Sequence, residues 1–123
     1  MAKILIVDDS RTSRKILRRI LEEAGHNVIG EAVNGEEGYL KYQELNPDVV
    51  TLDITMPKMD GLEALRLIKK YDADAVAIMI TAAGQKEKMI LAIKSGAADF
   101  ISKPYEGNDV LCVIDKCIGA WKV

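Results

Sequence analysis

The sequence predicts an α/β fold, a doubly wound five-stranded parallel sheet with helices on both faces. Its hydrophobic periodicity switches back and forth between short apolar runs, several rich in Ile and Val, and longer segments with a helical repeat. This alternation makes five strand–helix units, and strands joined by crossover helices run parallel. No repeat, low-complexity stretch or linker interrupts the pattern, so residues 1–123 read as one domain.

The first apolar run is Ile4–Val7. Ile16, Leu17, Ile20, Leu21 and Ala24 then share one helix face, and Gly25 offers a stop. Val28–Val33 is the second strand, and Gly35–Leu45 the second helix, with Pro47 just beyond it. Val49–Leu52 precedes a helix over Gly61–Tyr71 that carries Leu62, Leu65 and Ile68. Val76–Ile80 is followed by a helix over Lys86–Ser95, ended at Gly96. Phe100–Ile101 is the last strand. The final helix places Val110, Val113, Ile114, Cys117, Ile118 and Trp121 on one apolar stripe. Such runs suit strands buried on both faces. Right-handed crossovers restrict the topology but leave the strand order open.

Composition narrows the chemistry. A chain of 123 residues buries roughly two thirds of its unfolded surface and needs no staples. With 49% hydrophobic and 29% charged residues it suits a soluble globular protein, and a net charge of −2 argues against a DNA partner. No apolar run approaches the roughly 18 residues of a membrane span, so no membrane insertion is expected. The opening Met-Ala-Lys-Ile-Leu-Ile-Val-Asp is no signal peptide, and a cytoplasmic location is expected. His26 is the sole histidine, which excludes a histidine-rich zinc site. Cys112 and Cys117 lack the Cys-x-x-Cys spacing and would stand about 140° apart on one helix. They are expected as buried free thiols.

In folds of this class ligands sit beyond the carboxyl ends of the strands. The first strand is followed there by Asp8-Asp9, the third by Asp53, the fourth by Thr81 and the fifth by Lys103-Pro104. Each alone has a structural explanation. Asp9 and Ser10 stand where a helix N-cap belongs, Asp53 before Pro57 and Gly61 suits a turn, and Thr81 and Lys103 are ordinary strand and surface residues. Their arrival at one edge together is harder to explain that way. In the order 2-1-3-4-5 the first and third strands are neighbours, about 5 Å apart, and three carboxylates converge. Two such charges at about 4 Å repel by about 4 kcal/mol at a surface-like dielectric. A hard divalent cation held by carboxylates, carbonyls and waters relieves this, and Mg²⁺ is the physiological choice. The order 3-2-1-4-5 would separate Asp8 and Asp9 from Asp53. The clustering therefore selects the first order.

Carboxylates, Mg²⁺, a lysine and a hydroxyl together suit phosphoryl transfer, in which the equatorial oxygens need counter-charge and hydrogen-bond donors. Asp53 is the natural nucleophile, since a carboxylate can form an acyl phosphate. Asp9 would hold the metal, Lys103 would face the phosphoryl group, and Thr81 could donate its hydroxyl.

Asp8-Asp9, Asp53-Ile-Thr-Met-Pro-Lys-Met-Asp-Gly61, Thr81-Ala-Ala and Lys103-Pro104 together resemble the receiver domain of bacterial response regulators, from about Lys3 to Trp121. The pattern is closest to the stand-alone, CheY-like chemotaxis type, on a flavodoxin-like sheet. The order 2-1-3-4-5 is a known property of flavodoxin and CheY. The resemblance implies that Asp53 accepts a phosphoryl group from the phosphohistidine of a sensor histidine kinase, CheA-like in chemotaxis. It implies that Asp9 and Asp53 ligate Mg²⁺ directly, Thr55 through its backbone carbonyl and Asp8 through water. Lys103 would contact the phosphoryl oxygen, and Thr81 would swing toward it. Phe100 matches the family's switch aromatic, often Tyr in chemotaxis members; here no hydroxyl can reach a partner. Lys103-Pro104 resembles the family's cis peptide.

The switch would be read on the face made by the fourth helix, fifth strand and fifth helix, where Met89, Ile90 and Tyr105 are candidates beside a core reading of Met89 and Ile90. No output domain is expected after the last helix, so the expected target is another protein. A flagellar motor switch component fits, and so does a histidine phosphotransfer protein in a phosphorelay. The small Ala82 and Ala83 beside Thr81 would leave the pocket open to a partner's histidine or to water.

Two further classes are weighed. A haloacid dehalogenase-like phosphatase wants a second Asp two residues after the nucleophile, and that residue is Thr55. A flavin carrier wants a phosphate loop after the first strand, where paired acids stand instead. Arg11, Arg14, Lys15, Arg18 and Arg19 form a basic stripe opposite the first helix's apolar face. It reads as a solvated face or as a docking surface for an acidic partner.

Overall fold

Residues 2–119 are described by a computed structural model, in which five strands and five helices alternate along the chain. They are β1 (Lys3–Val7), α1 (Arg11–Glu23), β2 (Asn27–Ala32), α2 (Gly35–Leu45), β3 (Val49–Asp53), α3 (Gly61–Tyr71), β4 (Ala77–Thr81), α4 (Lys86–Lys94), β5 (Asp99–Ser102) and α5 (Gly107–Gly119). The strands form one parallel sheet in the order β2-β1-β3-β4-β5, the order selected by the carboxylates. Trp121, expected on the last apolar stripe, lies outside the described residues.

Period-two alternation divides the central strands between two cores. Leu5, Val7, Val50, Leu52, Ala77 and Met79 face α2, α3 and α4, where Tyr42, Leu65, Ile68 and Ala92 complete one cluster. Ile4, Ile6, Val49, Ile78 and Ile80 face α1 and α5, packing with Leu17, Leu21, Val110, Ile114 and Ile118. Each fully buried Leu or Ile contributes about 1.5–3 kcal/mol, so the central strands are firmly held and their carboxyl ends are a rigid platform.

Three helices start on side-chain caps: Ser10 accepts from Ser13 N–H (3.2 Å), Asn34 from Glu37 N–H (2.9 Å) and Asp60 from Glu63 N–H (2.9 Å). Ser10 rather than Asp9 therefore caps α1, which leaves the Asp9 carboxylate for other work.

Two burial expectations are corrected. Ile16 is 51% exposed, because the buried line of α1 runs through Leu17 and Leu21 and Ile16 lies at its margin. Cys112 is exposed rather than buried, and only Cys117 is half-buried. The buried line of α5 is Val110, Ile114 and Ile118, and Cys112 stands about 200° round the helix from Val110. Burial pushes the Cys117 thiol up. His26 is buried too, its Nδ1 accepting the Ala2 N–H at 3.3 Å.

Candidate functional site: an acidic pocket at the carboxyl edge of the sheet

Asp8 follows β1 directly. Its N–H continues the sheet to Ala32 O (3.0 Å), and its Oδ1 accepts the Ser10 N–H (2.9 Å). Its carbonyl accepts from Arg14 Nη1 at 2.8 Å. Pinned in this way, Asp8, a residue only 5% exposed, turns its second oxygen into the pocket. Asp53 is the last residue of β3, one residue further along the strand than its apolar run, and is 8% exposed. Asp9 is exposed beside them. Carboxylate oxygens of Asp8, Asp9 and Asp53 lie within 4.8 Å of one another.

Lys103 reaches the same point from just beyond β5. Its backbone N–H is bonded to Thr81 O at 2.7 Å, and the Lys103–Pro104 peptide is cis. Its Nζ lies 3.2 Å from Asp53 Oδ2 and 3.7 Å from Asp8 Oδ2. Burial holds the Asp8 carboxyl above the usual carboxylate range, with the neighbouring Asp53 adding to the effect and the Ser10 N–H and Lys103 opposing it. Burial alone would lower the Lys103 ammonium, but Asp53 and Asp8 together outweigh it and raise it. An all-oxygen donor set of three carboxylates, with one lysine as resident counter-charge, suits a hard cation.

The remaining predicted residues ring this pocket. Thr81 ends β4 and is 4% exposed, its hydroxyl turned toward Ile101 O (3.5 Å) and Ser102 Oγ (3.4 Å) on β5. Phe100 is half-buried against the α2–α4 core, and it lines with Thr81 and Met89 a cavity of about 240 Å³. Thr55 is exposed at the start of the β3–α3 loop, and Ala82 and Ala83 are exposed after β4. That first loop turns tightly at Lys58 (φ 65°), with Met59 N–H bonded to Pro57 O at 2.7 Å. Ile90 is exposed on α4, whereas Met89 packs on one core and Tyr105 on the other.

The basic stripe of α1 is partly used within the chain. Glu31 on β2 pairs with Arg14 (2.9 Å) and Arg18 (2.5 Å), and Arg19 pairs with Glu23 (3.4 Å). Arg11 and Lys15 enter no ion pair among the described residues.

Two contributors, Glu31 and Gln85, escaped the sequence reading, and a third, Gly61, was read there only as a turn and motif residue. Glu31 had a signal, a charge within an apolar strand opposite a basic helix face. Gly61 matters because a Cβ there would stand 2.1 Å from Asp53 O, so only glycine lets α3 start against the end of β3. Gln85 had no signal: its Oε1 accepts the Ala82 N–H at 2.6 Å and its Nε2 donates to Thr55 Oγ1.

The sequence profile of the response regulator receiver domain matches residues 4–115. The chemotaxis protein CheY of Thermotoga maritima is 47% identical over 114 residues, 93% of this chain and 95% of that one. That of Bacillus subtilis is 48% identical over 116 residues, 94% and 97% of the two chains. Among solved structures, a response regulator receiver domain protein from Clostridium thermocellum superposes with a TM-score of 0.94 at 35% identity, covering 99% of this chain and 98% of that one. The CheX–CheY–BeF₃–Mg²⁺ complex from Borrelia burgdorferi gives 0.90 at 42% identity, covering 94% and 88%. The chain therefore belongs to the response regulator receiver domain family, and its likeness along nearly the whole length of chemotaxis CheY proteins places it with the response regulators of chemotaxis signalling.

Proposed function

We propose that the chain accepts a phosphoryl group on Asp53 from the phosphohistidine of a CheA-like sensor kinase, and that this modification switches a protein-binding face. The observation that carries the reading is the convergence of Asp8, Asp9 and Asp53 with Lys103 Nζ 3.2 Å from the Asp53 carboxylate. Asp53 is the carboxylate that faces the lysine directly, so it is the acceptor. Its oxygen attacks phosphorus, and the histidine nitrogen leaves with the bonding pair. Lys103 then meets the charge on the phosphoryl oxygens, and the Thr81 hydroxyl supplies a donor once it turns from Ser102.

Asp8, Asp9 and Asp53, with the Thr55 carbonyl, would hold Mg²⁺ in this pocket. When bound, the ion supplies neutralising charge for carboxylates and phosphoryl oxygens alike. The BeF₃ and Mg²⁺ in the Borrelia burgdorferi complex support both roles. The chain acts as a phosphoacceptor, not as a turnover enzyme, because Thr55 stands where a phosphatase of the haloacid dehalogenase class keeps its acid.

Rotation of Thr81 toward the phosphoryl group draws in the loop after β4, and Phe100 follows into the cavity behind it. The equilibrium shifts by the difference in interaction energy between the two arrangements. The altered face is that of α4, β5 and α5, where Ile90 is exposed. Its target is a flagellar motor switch component. Arg11 and Lys15 on α1 are the cations available to an acidic surface of the kinase. Its inferred site of action is the cytoplasm; separately, no described helix is long and apolar enough to cross a membrane.

The test is phosphotransfer from a radiolabelled CheA-like kinase, followed by capture of partners with and without beryllofluoride. Hydroxylamine-labile label and a switch component retained only with the mimic are expected. Capture of a histidine phosphotransfer protein instead would reassign the chain to a phosphorelay.

A further inference from the structure

Gln85 bridges the two loops that follow β3 and β4. Its Oε1 accepts the Ala82 N–H at 2.6 Å while its Nε2 donates to Thr55 Oγ1. The two strands are adjacent, with Asp53 level with Ile80. Thr55 is two residues beyond Asp53 and Ala82 two beyond Ile80, so the carboxamide spans the outlet between the strand that ends in Asp53 and the strand that ends in Thr81. Gln85 stands at the N-cap of α4 yet makes no side-chain bond to that helix. Both ends of its amide are committed to the loops.

We propose that Gln85 is a positioning residue that holds the β4–α4 loop in its resting place and competes with the phosphoryl group for the Ala82 N–H. This rests on Asp53 being the acceptor. Phosphoryl oxygens on Asp53 need donors, and the first backbone N–H beyond Thr81 is occupied by the oxygen of Gln85. Thr81 faces β5, so turning it toward Asp53 moves the loop that begins at Ala82 and breaks the bridge. Gly84, at φ 84° with nothing within 4 Å of where a methyl group would stand, gives the segment between Ala82 and Gln85 freedom to rearrange. The apparent affinity for a phosphoryl group is reduced by the fraction of molecules in which the bridge is made. Removing the bridge therefore raises that affinity.

The test is a titration of beryllofluoride in saturating Mg²⁺ against the wild type, Gln85→Ala, Thr55→Val and the double variant, followed at the Ala82 amide by NMR. Gln85→Ala lowers the half-saturating concentration by about five-fold, the equilibrium effect of one net hydrogen bond. Thr55→Val lowers it by less. The double variant binds no more tightly than Gln85→Ala, since the bridge is already gone. A side chain that merely stabilised the loop would leave mimic binding unchanged or weaken it on removal, and either result overturns the proposal. So does an additive gain in the double variant. A wild type that binds the mimic with no gain in Gln85→Ala refutes the bridge alone, whereas a wild type that does not bind refutes the phosphoacceptor reading and this proposal with it.

Discussion

Lys103 Nζ lies 3.2 Å from Asp53 Oδ2 and 3.7 Å from Asp8 Oδ2, so one ammonium from beyond β5 balances two buried carboxylates from β1 and β3. The pocket is thus a charge arrangement in which cation and anions have opposite effects on stability.

That asymmetry is measurable in metal-free buffer. Lys103→Met keeps the aliphatic stem but leaves Asp8 and Asp53 facing each other, and it lowers the unfolding free energy by about 1–2 kcal/mol. Asp53→Asn removes one of the repelling charges and raises it by about 1 kcal/mol. Urea denaturation in EDTA reads both. Shifts of the same sign would show that repulsion does not govern the pocket.

Asp9 is exposed and enters no ion pair among the described residues, so its carboxylate is free for a cation. Asp9→Ala leaves the metal-free stability within about 0.5 kcal/mol of the wild type. Mg²⁺ at a hundred times its dissociation constant stabilises the wild type by about 2.7 kcal/mol, and at the same concentration most of this gain is lost in Asp9→Ala. Thermal melts with and without Mg²⁺ make the comparison.

Gly61 couples the fold to the site. The Cβ of Gly61→Ala would meet Asp53 O at 2.1 Å, so α3 must retreat from the end of β3. A loss of about 1–3 kcal/mol and weaker labelling of Asp53 are expected. Gly107→Ala, whose methyl meets nothing closer than 3.8 Å, is the control and keeps its labelling.

Burial holds the His26 imidazole below its ordinary value of 6.5, with Asp115 opposing in part. The folded chain keeps it neutral, accepting the Ala2 N–H, whereas the unfolded chain takes up a proton near 6.5. More protons are then bound unfolded, so stability is complete above 6.5 and declines as the pH falls from there toward the folded-state value. Denaturation between about pH 7.5 and pH 5.5 shows this decline, and His26→Asn flattens it.

All ten elements were legible because the central strands are apolar on both faces and α1, α3 and α5 carry one-sided stripes, while α2 and α4 were marked by their length and by the Pro47 and Gly96 that follow them. Their ends were less so. β3 and β4 each run one residue further, through Asp53 and Thr81, since a strand's last backbone pairings do not require an apolar side chain. Ile16 lies away from the buried line of its helix, which periodicity alone does not reveal, whereas the roughly 140° between Cys112 and Cys117 already set Cys112 off the stripe of α5 and its burial was expected only from the residue type. The acids and Lys103 were readable because each ends or follows a strand and the strand ends share an edge. Gln85 was not, since its bonds to Ala82 and Thr55 depend on the path of two loops that carry no periodicity.

The central claim is that Asp53 carries the phosphoryl group. Intact-mass and peptide mass spectrometry after incubation with acetyl phosphate and Mg²⁺ tests it most directly. One phosphoryl group on the peptide containing Asp53, absent in Asp53→Asn and absent when EDTA replaces Mg²⁺, is the predicted result. An unmodified wild type, or equal labelling of Asp53→Asn, would contradict it.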